Sequence, residues 1–266
     1  MTRTTTKTIA CLLAGILTIG LAGCSQEDYE LADGLIDGAV SALEDANTGT
    51  LQSDEATPTP SDDTVTEWNP TEHPDYIAIT GEADFGTTPI PEAGTIDYAT
   101  PDQYGRSGTA IGVITKTMRD EGSDRDRHMP DTITGWPSPN PKVTIQFTDG
   151  SHYKGYMFNK SHLIAKSLGG SDEADNMITG TRTQNVGKND GNGGMAYTET
   201  KARDWLDANP AGTVTYKATP VYEGTELLPR YVTVDILTSD GTVNEHVVVF
   251  NTANGYGIDY QNGGIL

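Results

Sequence analysis

The first 24 residues carry Arg3 and Lys7, then an apolar run from Ile9 to Leu21, and end in Leu21-Ala22-Gly23-Cys24. Charge, an apolar centre and small residues before a cysteine, in that order, are expected of an export signal ending in a lipobox. The apolar run is shorter than the ~20 residues a retained membrane helix needs. Cleavage before Cys24 would leave that cysteine lipidated and the mature chain tethered outside the cytoplasmic membrane. The second cysteine, Cys11, lies within the signal. The exported part is therefore expected to fold without a disulfide, despite its oxidising location, and to depend on an ordinary apolar core.

Residues 25–75 hold 14 Asp and Glu and no Lys or Arg, with Thr57-Pro58-Thr59-Pro60-Ser61-Asp62-Asp63 near the centre. Such a composition buries too little apolar surface to offset the entropy of ordering, so the segment reads as a disordered acidic stalk. Leu31, Leu35, Ile36, Ala39, Val40 and Leu43 recur at helical spacing, which predicts a short amphipathic helix weakened by Gly34 and Gly38. Residues 76–266 remain for one globular domain, a normal size for a single core. They carry 24 acidic against 15 basic residues, a net charge of −9. That balance argues against tight binding of nucleic acid over a broad basic face. It leaves room for a local cationic cleft.

Within the domain, Tyr76-Ile77-Ala78-Ile79 predicts a first strand, and residues 109–115 another after the turn at Gly105-Arg106-Ser107-Gly108. The charge-dense stretch 119–128, which includes Arg125 and Arg127, reads as a solvated loop. Val143, Ile145 and Phe147 alternate with polar residues, Asp149-Gly150 supplies a turn, and residues 152–158 predict the returning strand. Thr198 is expected to cap a helix in which Ala202, Trp205 and Leu206 share a face, with Pro210 closing it. Glu199 falls on that inward face and needs a partner, either Arg203 at i+4 or a functional site. Alternation at Val214, Tyr216 and Ala218 and at Val232, Val234 and Ile236, with a turn at Ser239-Asp240-Gly241, predicts an antiparallel meander. The fold class expected is α+β, built on an antiparallel sheet.

Candidate chemistry concentrates in residues 156–185, YMFNKSHLIAKSLGGSDEADNMITGTRTQN. His162 follows the strand-like Tyr156-Met157-Phe158 and sits in Asn159-Lys160-Ser161-His162. Asn176, Arg182 and Asn185 follow, side chains suited to phosphate or a hard metal ion. A lone histidine beside apolar residues is more often structural than catalytic, so the pattern around it must decide. No His-Glu-x-x-His or Gly-x-Ser-x-Gly motif is present, and Gly187-Lys188 lacks the remaining residues of a phosphate loop.

The order NKSHLIAKSLGG, DNMITGTRTQN and GGMAYTETKARDWL resembles the DNA/RNA non-specific endonucleases of the ββα-metal (His-Me finger) superfamily, in their streptodornase-like branch. Thr134-Gly135-Trp136 and Gly257-Ile258-Asp259-Tyr260 extend the resemblance. It implies a ββα unit with a helix starting near Gln184 that points Asn185 back at His162. It also implies that His162 is the general base, and that Asn185 holds a Mg²⁺ ion with Asn176 supporting the metal shell; Mn²⁺ is expected to substitute. Glu199 would orient water at the metal. Arg182, Lys160 and an arginine upstream of the Gly-Trp block, Arg125 by its spacing, would grip phosphate. Lys160 stands where the family more often has arginine, keeping the charge but not the forked geometry.

The activity implied is phosphodiester hydrolysis of DNA, and of RNA in addition, with little sequence preference. A neutral imidazole suits the base, because its reference pKa near ~6.5 leaves it unprotonated at neutral pH. The competing expectation is a surface lipoprotein that binds a ligand on a degenerate nuclease scaffold without catalysis. A solute-binding lipoprotein is disfavoured by the absence of a two-lobed α/β pattern.

Overall fold

A computed structural model describes residues 65–266. The export signal, Cys24, the predicted helix over residues 31–43 and most of the acidic stalk lie outside the described residues. Residues 65–75, just before the expected start at Tyr76, pack against the domain. Trp68 stacks on Tyr76 at 4.9 Å between ring centroids and donates its indole N–H to the His73 carbonyl at 2.8 Å. Val65 packs against Ala78, Val248 and Phe250. These two apolar residues tie an otherwise polar segment down.

The frame is a six-stranded antiparallel sheet in the order β1-β10-β9-β8-β3-β2. Its strands are β1 (Ile77–Gly81), β2 (Ile96–Tyr98), β3 (Ala110–Thr115), β8 (Thr213–Val221), β9 (Tyr231–Thr238) and β10 (Asn244–Phe250). The meander read from alternation is β8-β9-β10, in which Val214 pairs with Thr238 and Val247 with Val234. Val214, Tyr216, Val232, Val234, Ile236, Val247 and Val249 are fully buried on one face. Against them pack Met195, Ala202 and Leu206 of a long helix and Leu163, Ile164 and Leu168 of the segment after His162. Each such Leu, Ile or Val contributes about 1.5–3 kcal/mol by leaving water. The residues beside His162 are therefore held by the main core.

The charge-dense stretch is not a loop throughout. Lys116–Asp124 forms helix α1, capped by the Thr115 hydroxyl, which accepts from the Met118 N–H. Its composition gives no apolar stripe because ion pairs hold it: Lys116 lies 3.4 Å and Arg119 3.1 Å from Asp207 on the long helix. Gly122 allows the close approach of the 163–168 segment, since a Cβ there would stand 2.2 Å from the Lys166 carbonyl oxygen.

The strand predicted over residues 152–158 divides in two. β4 (Lys142–Gln146) and β5 (His152–Tyr156) form the expected hairpin, and the chain then turns at Met157 into β6 (Phe158–His162). Met157 is fully buried, and its backbone bonds Pro141 on one side and Arg182 on the other. Asn140 clamps both backbone groups of Phe158 through its side chain. These long-range bonds move the strand to a new partner, β7 (Met177–Thr181), with His162 opposite Met177 and Ser161 opposite Ile178. Helix α2 (Arg182–Val186) follows at once, capped by Thr181, whose hydroxyl accepts from the Gln184 N–H at 3.0 Å. The expected ββα unit is thus β6-β7-α2.

Helix α3 (Met195–Ala208) starts one turn earlier than predicted. Gly194 is its N-cap. Thr198 is an interior residue, fully buried, bonded to the Met195 carbonyl at 3.1 Å and to the Tyr216 hydroxyl at 2.7 Å. Beyond β10, Tyr260 anchors the C-terminal segment, donating its hydroxyl to the Asn251 carbonyl at 2.7 Å while Ile258 is buried.

Candidate active site

β6 brings Ser161 and His162 to its end on adjacent, opposite-facing positions. Ser161 is fully buried and donates its hydroxyl to Asn185 Oδ1 at 3.0 Å across the β6-α2 contact. His162 turns its Nε2 to Asp172 Oδ1 at 2.9 Å. Two neighbouring residues at the end of one strand thus engage Asn185 of α2 and Asp172 of the following loop.

Asp172 had no place among the predicted site residues. It lies in the acidic loop before β7, where one carboxylate among several gives no spacing signal. Its side chain is only 7% exposed, and its second oxygen accepts the His128 N–H at 2.8 Å. Burial opposes its ionisation, but the hydrogen bonds from His162 and His128 and the charges of His162 and Arg125 outweigh that, holding the carboxyl well below its usual range. Arg125, just past the end of α1, stands 3.5 Å from Asp172 Oδ1 and donates to the Gly170 carbonyl at 2.7 Å, while its side chain stays 40% exposed. Arg125 is thus in contact with this loop.

Lys166 adds to the positive character. Burial and the nearby charges of Arg127 and Arg125 push its pKa down, against the pull of Asp172 and Asp126. Its ammonium donates to the Ser123 carbonyl at 3.1 Å.

Asn176 does not offer an oxygen to an ion. It is fully buried, its Oδ1 accepts the Ile164 N–H at 2.9 Å, and its Nδ2 donates to the Ile164 and Ser171 carbonyls at 2.9 and 2.8 Å. It braces the two loops that carry His162 and Asp172. Lys160 is likewise committed, donating to the Pro130 and Asp131 carbonyls at 2.6 and 3.0 Å and lying 5.0 Å from the Trp136 ring centroid. It supports the Gly-Trp block instead of gripping phosphate. Burial lowers its pKa, only partly countered by Asp131.

Arg182 opens α2, bonded to Asn189 Oδ1 at 3.1 Å and stacked 5.1 Å from the Tyr153 ring centroid. Glu199 lies 4.0 Å from Arg203 in the i+4 geometry, and Arg203 reaches Ser167 at 3.1 Å. This places Glu199 on the side of α3 that meets the segment after His162, with the ion pair as its visible partner.

Among the described residues no three His, Cys, Asp or Glu side chains come together to cage a metal ion. The oxygen ligand at hand is the Asn185 amide, oriented by Ser161 and partly exposed. One neutral oxygen with the remaining positions left to water fits a hard, reluctantly dehydrated ion such as Mg²⁺.

Strands β6 and β7 and helix α2 form a ββα unit that carries His162, paired with Asp172, and Asn185, bonded to Ser161. The family model for DNA/RNA non-specific endonucleases matches residues 96–263. A deoxyribonuclease from Streptococcus dysgalactiae subsp. equisimilis is 34% identical over 243 aligned positions, covering 73% of this chain and 74% of the relative. Among solved structures, the Sda1 nuclease with a bound zinc ion is 40% identical, with a TM-score of 0.72 over 75% of this chain and 99% of Sda1. NucA from Streptococcus agalactiae with a bound magnesium ion is 25% identical, with a TM-score of 0.55 over 70% of this chain and 83% of NucA. The chain belongs to the DNA/RNA non-specific endonuclease family and is a nuclease with the α+β fold of that family.

Proposed function

We propose that the protein is a Mg²⁺-dependent endonuclease acting outside the cytoplasmic membrane, anchored there through a lipid on Cys24, and that it cuts DNA and RNA with little sequence preference. The observation that supports this reading is that one ββα unit carries both residues: β6 ends in His162, bonded to Asp172, and its Ser161 bonds Asn185 on α2. His162 accepts the proton of the attacking water as general base. Asn185 holds the ion, whose charge stabilises the transition state and the leaving oxygen when it is bound. Arg125, with Arg127 and Lys166 beside it, draws the phosphate backbone to the histidine. Arg182 is a second phosphate contact, and Glu199 steadies water on the far side of the asparagine. The relatives with zinc and with magnesium support a divalent ion without choosing between the two. The neutral donor set favours Mg²⁺ with Mn²⁺ as substitute, because zinc prefers nitrogen and sulfur ligands.

The test is to incubate the purified chain with supercoiled plasmid and with RNA, in Mg²⁺, Mn²⁺, Zn²⁺ or EDTA. Nicking then linearisation with Mg²⁺, abolished by EDTA, is expected. Intact plasmid under every metal would favour the non-catalytic binding scaffold. The anchor is tested by fractionation: Cys24→Ala should move the protein from membranes to the medium or periplasm.

A further inference from the structure

We propose that Asp172 is the positioning residue for His162, holding its imidazole in the tautomer that carries hydrogen on Nε2 and leaving Nδ1 as the free base. The inference rests on the reading of His162 as general base and deepens it. An ionised carboxylate only accepts hydrogen bonds, so a ring nitrogen 2.9 Å from Asp172 Oδ1 must be the donor. In the neutral ring the remaining nitrogen then keeps its lone pair. When Nδ1 takes a proton from water, the ring becomes a cation, and the carboxylate already opposite Nε2 offsets that charge.

The carboxylate is built into this position. Its Oδ2 is engaged by the His128 N–H at 2.8 Å, and Arg125 approaches Oδ1 at 3.5 Å. The loop that carries it is pinned from both ends. Asn176 bonds Ile164 on the histidine side and Ser171 on the aspartate side. Gly170 packs so tightly that a Cβ would stand 1.8 Å from the Ile164 carbonyl oxygen. The backbone of the aspartate loop is thus in contact with the backbone just after His162, which holds the Asp172 carboxylate at the ring. With its side chain 7% exposed and both oxygens committed, Asp172 is poorly placed to serve as a metal ligand. A role that only ties two loops together would not require an ionised group at the imidazole.

The experiment compares Asp172→Asn, His162→Ala and the double variant with the wild-type protein, reading kcat, KM and melting temperature on a DNA oligonucleotide. Asp172→Asn should lower kcat by at least about 10-fold, with an upper bound near the ~10⁴ that the orienting carboxylate of a Ser-His-Asp triad supplies, and leave KM nearly unchanged. In the His162→Ala background the same substitution should have no further effect on kcat, because there is no ring left to orient. An equal loss in both backgrounds, or a lower melting temperature with wild-type kcat in the folded fraction, would overturn the proposal. Should Asp172→Asn fail to fold, nitrogen-15 spectra of the wild-type ring decide: hydrogen on Nε2 is expected, and hydrogen on Nδ1 of the neutral ring refutes it. A wild-type protein that cuts no nucleic acid would sink the general-base reading itself, while the tautomer measurement would still judge the pairing.

Discussion

Replacing Asn176 with alanine separates a brace from a metal ligand. The side chain makes three hydrogen bonds, two buried ones to the Ile164 N–H and carbonyl and a partly buried one to the Ser171 carbonyl. Alanine removes all three partners and admits no obvious replacement, because the site is closed to solvent. Each orphaned buried group costs about 1–3 kcal/mol, and partial relaxation brings the sum to roughly 3–5 kcal/mol. At about 2–4 °C per kcal/mol for a domain of this size, the melting temperature should fall by on the order of 10 °C. Asn176→Asp should be at least as damaging, since it sets a carboxylate against two carbonyl oxygens. The assay pairs thermal melting with a Mg²⁺ titration of plasmid cleavage below the new melting temperature. The concentration of Mg²⁺ giving half-maximal rate should stay at the wild-type value. An unchanged melting temperature together with a raised Mg²⁺ requirement would refute the brace and return Asn176 to the metal shell.

His162→Ala should lower turnover by roughly 10²–10⁴-fold, the worth of a positioned base, with little change in melting temperature; near-wild-type turnover in the folded protein would remove it from catalysis. Asn185→Ala should lose Mg²⁺-dependent cleavage and keep its circular dichroism spectrum, whereas full activity at ordinary Mg²⁺ would displace it as the ligand. On the sheet face away from the helices, burial raises the pKa of Asp235, but hydrogen bonds from His246, Lys217 and the Asp84 N–H outweigh it and the net shift is downward. A depressed folded-state pKa means that this group's stabilisation is complete above the unfolded value near 3.8 and is lost as pH falls through the lower folded value. Urea unfolding of Asp235→Asn and wild type should therefore differ at pH 6 and converge as the pH is taken below 3. A gap that stays constant down to that acidity would show that the ion network is not its source.

Wherever a pattern was local, the sequence carried it. Period-2 alternation placed β8 and β9, the Ser239-Asp240-Gly241 turn placed β10 and the Asp149-Gly150 turn placed the β4-β5 hairpin, because a half-buried strand and a tight turn need no distant information. The family motif placed His162 and Asn185 on one ββα unit, since that unit is contiguous from Phe158 to Val186. Three features were decided by tertiary structure. The break at Met157 exists because Pro141, Asn140 and Arg182 capture the backbone there, and no residue in Tyr156-Met157-Phe158 announces it. Helix α1 rests on distant partners, since Met118 packs against the main core and Lys116 and Arg119 pair with Asp207, about 90 residues away, so a charge-rich stretch without an apolar stripe is still helical. The roles of Asn176, Lys160 and Asp172 depend on which polar group burial leaves unsatisfied. An asparagine, a lysine or an aspartate reads identically in a sequence whether it faces an ion, a phosphate, a carbonyl or an imidazole. Only the packed chain shows that the first two are spent on backbone oxygens and the third on the histidine.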